Sequence, residues 1–62
     1  MRPSEVREMT DDELFEMLDE LERALFNMKI QHATGQLDTT ARLKLAKRDL
    51  ARVKTIIKER GL

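Results

Sequence analysis

Residues 39–57 read TTARLKLAKRDLARVKTII, and their spacing decides the fold. Leu43, Ala46, Leu50, Val53 and Ile57 recur at steps of three and four. A helix turns about 100° per residue, so these five share one side and form an apolar seam. Between them stand Arg42, Lys44, Lys47, Arg48, Arg52 and Lys54, with Lys58 and Arg60 beyond. Only Asp49 and Glu59 oppose them. That excess of positive charge goes beyond what solubility requires and points first to an anionic partner.

Upstream, Leu14, Leu18, Leu21, Leu25 and Met28 alternate steps of four and three, and His32 is next on the same stripe. Thr10-Asp11-Asp12-Glu13 has the spacing of a capping box, and Gly35 sits where a left-handed residue closes a helix. The spacing predicts a first helix over about 11–34 and a turn at 35–38 (Gly35-Gln36-Leu37-Asp38). A second helix follows over about 39–60, capped by Asp38 or Thr39 and ended by Gly61. So short a link makes the helices antiparallel. In residues 1–9 two readings stand: Pro3 opens one or two helical turns, with Val6 and Met9 covering the open end of the core, or the segment is a partly ordered arm. The expected fold is all-α: one domain over 1–62, an antiparallel two-helix hairpin of long coiled-coil-like helices with a short helical arm.

At 62 residues the core is small, and the absence of Cys removes disulfides and thiolate metal sites as braces. No run of about 18 apolar residues exists to span a membrane. The acidic N-terminus lacks a signal peptide's apolar stretch, so the expected location is the cytosol. A net charge of zero conceals an asymmetry. Residues 1–26 carry three basic and nine acidic side chains, net −6; residues 40–62 carry eight basic and two acidic, net +6. Such a split suggests either nucleic-acid contact or pairing between the halves.

A two-helix hairpin buries one stripe per helix. With Leu14 at zero, Phe15, Phe26 and Ala33 fall at about 100–120° and Ile30 near 160°, while Leu45 and Ile56 fall on the back of the second helix. Exposed apolar groups of this kind mark a binding surface, or bury themselves by self-association into a four-helix bundle. Among the acids of the first helix, Glu22 can approach Lys47 and Lys54, but Asp12, Glu16, Asp19 and Glu20 point outward. Exposed ion pairs contribute only about 0–1 kcal/mol each, too little to account for eight basic residues. Lys44, Lys47, Arg48, Ala51, Arg52 and Thr55 therefore form a basic strip beyond the reach of those acids: either a solvated charged face, or a surface suited to RNA backbone with Arg favoured for bidentate phosphate contacts. With no Tyr or Trp, and both Phe residues on the acidic helix, base stacking has little support.

Catalytic features are missing. His32 falls on the seam, where its charge suits a helix C-terminus, and no carboxylates accompany it as metal ligands. Asp11, Asp12 and Glu13 fan around a helix and act as caps. Ser4, Thr34, Thr39 and Thr40 lack an activating base, and two glycines make no phosphate-cradling loop. A hairpin offers no substrate pocket, and a small helical acid/base catalyst of the chorismate-mutase kind would need a third long helix. No enzyme activity, metal, cofactor or small-molecule substrate is expected.

Leu25-Phe26-Asn27-Met28-Lys29-Ile30-Gln31, Ala33-Thr34-Gly35-Gln36-Leu37 and Lys47-Arg48-Asp49-Leu50-Ala51-Arg52-Val53-Lys54-Thr55 resemble the large-subunit ribosomal protein L twenty-nine family. The arm's Glu5-Val6-Arg7 and the TDDEL cap extend the likeness over nearly the whole chain, although Val6 stands where Leu is common. The resemblance implies a helical hairpin on the large subunit near the exit of the peptide tunnel. It also implies contacts to large-subunit rRNA and to the neighbouring ribosomal protein L twenty-three, with nascent-chain factors docking nearby. The family's basic motif maps onto Lys44, Lys47, Arg48, Arg52 and Lys54; with Arg42 and Lys58 these are the expected RNA-binding residues. Phe15, Phe26 and Ile30 are the expected protein-interface residues. The rival expectation is a hairpin interaction module that self-associates and never meets RNA.

Overall fold

A computed structural model of the chain describes residues 2–35 and 40–62. It contains three helices, α1 (Pro3–Arg7), α2 (Asp11–Ala33) and α3 (Ala41–Glu59), and no strand among the described residues. α2 and α3 pack side by side along a long axis of 38 Å. They run antiparallel: the Arg60 guanidinium, just past α3, donates to Asp11 Oδ1 at the start of α2 over 3.0 Å. Most of the expected turn at 35–38, and the caps expected at Asp38 or Thr39, lie outside the described residues.

Local sequence sets the ends of the helices. Thr10 Oγ1 accepts from the Glu13 backbone N–H at 3.2 Å, while Glu13 Oε1 accepts from the Thr10 N–H at 3.1 Å. Two of the N–H groups that α2 leaves without intrahelical partners are satisfied this way. These contacts favour the ionised carboxyl, and the Thr10 backbone N–H, followed by its hydroxyl, holds Glu13 below the ordinary glutamate value of 4.5. At the far end Gly35 takes φ +77°, a backbone state that only glycine adopts without strain. α3 closes with Gly61 N–H on the Lys58 carbonyl at 3.0 Å and Leu62 N–H on the Ile57 carbonyl at 3.2 Å, the paired bonds of a Schellman motif.

The core has two parts joined by Leu18 and Leu21. Val6, Leu14, Val53, Ile56 and Ile57 fill the end under α1, with Met9 and Met17 against them. Leu25, Ala46 and Leu50, with Met28 and Leu43, fill the end nearer the α2–α3 connection. Two expectations are corrected. Ile56, placed on the back of the second helix, is only 4% exposed, because α1 packs against α3 and widens the arc that counts as interior. His32, placed on the seam, is exposed: among the described residues the packed stripe ends at Met28 and Leu43, one turn earlier.

Candidate nucleic-acid interface

α3 presents its basic residues through helical geometry. Taking Leu50 as the inward direction, Lys54, Lys47, Lys58, Lys44, Arg48 and Arg52 follow one another over an arc from about 40° to about 200° on an ideal helix. Arg42 does not join them. It lies on the opposite flank, where Leu21, Ala24, Met28, Leu45, Ala46 and Asp49 share its groove. Six of the seven expected RNA-binding side chains therefore share one face, and Arg42 stands apart.

The side chains of Lys44, Lys47, Arg48, Lys54 and Lys58 are exposed, and none has an ion pair among the described residues. The expected approach of Glu22 to Lys47 and Lys54 produces no bridge within 4.0 Å there. Among the described residues, ion pairs elsewhere include Asp19–Arg23 along α2 at 3.2 Å, Arg7–Glu59 at 4.0 Å and Arg60–Asp11 at 3.0 Å. Arg52 differs from the rest of the strip, being half-buried and already engaged in an interaction of its own.

Near one end of this face the arm adds a wall. Pro3 and Arg7 of α1 and Arg48, Ala51, Arg52, Thr55 and Ile56 of α3 line a groove of about 340 Å³. Thr55 Oγ1 donates to the Ala51 carbonyl at 2.8 Å, which leaves the oxygen's lone pairs as its remaining capacity. Sequence reasoning placed Thr55 on the basic strip but gave no role to Arg7, since only the docking of α1 on α3 brings it to the groove.

The apolar surplus lies on α2. Phe26 is 64% exposed beside Asp19, Glu22, Arg23 and Asn27, and Ile30 is exposed one turn further on. Phe15 is exposed on the same side, but about 16 Å back along the helix axis. Leu45 is exposed on α3. No helix is long and apolar enough to cross a membrane, and no metal-binding group of side chains forms, among the described residues.

The family model described as Ribosomal L29 protein matches residues 4–60. The chain belongs to the ribosomal L29 family. It is similar over its full length to the large ribosomal subunit protein uL29 of Natranaerobius thermophilus, with 53% identity covering 95% of that protein. To the uL29 protein of Thermotoga maritima it is 50% identical, covering all of this chain and 94% of the relative. To that of Desulfatibacillum aliphaticivorans it is 49% identical over 95% of each chain. An L29 protein is a structural, non-enzymatic protein of the cytoplasmic ribosome.

Proposed function

We propose that this chain is a structural constituent of the large ribosomal subunit that holds rRNA backbone on the outer face of α3 and thereby supports translation. The observation that carries the reading is the arc of Lys44, Lys47, Arg48, Lys54 and Lys58, exposed and without ion pairs among the described residues. Arg52 extends the arc and Arg42 contributes from the other flank. Charge so arranged recognises phosphate and helix shape rather than base edges. Phe26 and Ile30, with Phe15 further along α2, pack against a neighbouring ribosomal protein. L twenty-three beside the peptide tunnel exit fits that place, with nascent-chain factors nearby.

Titrating the protein against a bacterial large-subunit rRNA transcript at rising salt tests the reading. Each phosphate contact lowers log K by about 0.7 to 0.9 per decade of salt, so a face of five contacts gives a steep slope. Lys44→Gln combined with Lys47→Gln should flatten that slope and leave the circular dichroism unchanged. Binding that is absent or indifferent to salt rejects the reading. The exposure of Phe26, Ile30 and Leu45 supports the second reading, a self-associating hairpin. A stable dimer or tetramer in sedimentation at micromolar concentration, without RNA binding, would favour it.

A further inference from the structure

The groove between α1 and α3 has a composition that general solvation does not explain. Three arginines from two helices, Arg7, Arg48 and Arg52, line it, and no carboxylate does so among the described residues. Arg48 and Arg52 are one turn apart, the spacing at which helical side chains are neighbours. Planar guanidinium groups suit phosphate oxygens, which they hold through paired N–H donors. Thr55 supplies the opposite polarity in the same place. Its hydroxyl hydrogen is committed to the Ala51 carbonyl, so toward the groove the oxygen only accepts. An oxygen of that kind repels a phosphate but takes the hydrogen of a ribose 2′-hydroxyl, the group that separates RNA from DNA. Pro3 and Ile56 give the groove apolar footing for the sugar.

We propose that this groove seats one strand of RNA sugar–phosphate backbone, its phosphates on Arg7 and Arg48 and a ribose 2′-hydroxyl donating to Thr55 Oγ1. The proposal rests on the rRNA-binding reading above and makes the arm a working half of the site. Among the described residues the Arg7 guanidinium is held by a long pair with Glu59, at 4.0 Å with both side chains mostly exposed, so a phosphate competes for it readily.

Binding of the intact chain to the large-subunit rRNA transcript, in ordinary form and with 2′-fluorine, which cannot donate, in place of every 2′-hydroxyl, tests it. Arg7→Gln should weaken both forms about threefold to tenfold and lower the salt slope by about 0.7 to 0.9. Thr55→Val should weaken the ordinary transcript by a similar factor and leave the fluorinated one unchanged. Glu59→Gln should tighten binding more than the charge-matched Glu20→Gln on α2, a gain that misfolding cannot produce. Equal effects of Thr55→Val on the two transcripts overturn the proposal, as does rRNA affinity unmoved by Arg7→Gln. So does an acidic peptide displaced by these variants while RNA is not, which would make the groove a protein site. Loss of binding in Lys44→Gln with Lys47→Gln, but not in Arg7→Gln, sinks the groove and spares the parent reading; a wild-type chain that binds no rRNA sinks both.

Discussion

The two ends of the hairpin solve the same burial problem differently. Under α1, three elements meet, and Val6, Leu14 and Val53 lose all solvent contact. Toward the connection, among the described residues, only α2 and α3 meet, and Leu45 is 55% exposed although it lies next to the buried Ala46. Two rods enclose a stripe; a third element, even one of five residues, encloses a volume. The closed end is also clasped. Arg60 donates to Asp11 Oδ1 at 3.0 Å and to the Arg7 carbonyl at 2.8 Å, tying the end of α3 to both other helices. The other end has no such clasp among the described residues and leaves Leu45 exposed.

The largest effect expected from this contrast is at Leu14. Leu14→Ala should cost about 2–5 kcal/mol, since the site is enclosed on all sides and cannot collapse easily. Urea unfolding checks it, and a loss below about 1 kcal/mol would show that the arm does not close this end in solution. Next is the clasp. Arg60→Gln removes hydrogen bonds that contribute about 0.5–1.5 kcal/mol each. Hydrogen exchange should then quicken at Val6 to Glu8 and stay unchanged around Leu25 and Leu50. Uniform quickening would mean that the two ends open as one unit.

The sequence made the hairpin legible because its signals are local. A capping box at Thr10–Glu13 and a left-handed Gly35 bracket α2 within a residue of its expected span. The start of α3 lies two residues later than expected, at Ala41, where Thr40 provides no side-chain cap. Ile56 was misjudged because periodicity describes one helix against one partner, and α1 is a second partner reached over about fifty residues of chain. The interface divides the same way. Helical spacing alone is enough to group Lys44, Lys47 and Arg48, and it sets Arg42 apart. The meeting of Arg7 with Arg48 is a tertiary event that leaves no trace in spacing.

The capping box gives a smaller effect and a pH dependence. Thr10→Ala should cost about 1 kcal/mol at neutral pH. Because the folded state holds Glu13 below its ordinary value of 4.5, the ionised carboxyl stabilises the fold fully above that value. The contribution drains as pH falls through the folded-state value. Urea midpoints of wild type and Glu13→Gln should therefore converge on acidification. A gap that is constant from pH 7 to pH 3 would mean that the charge of the carboxyl contributes no stability.

The smallest expected effect returns to the open end. Leu45→Ser changes an exposed side chain, so stability should move by no more than about 0.5 kcal/mol. If the flank is left open for a partner, the same variant should weaken incorporation into large subunits, measured by competition with wild type during assembly. A marked loss of stability in the isolated chain would mean that Leu45 already packs against something, a second copy included. The contrast between a sealed end and an offered one would then be lost, because both ends would be covered in the free protein.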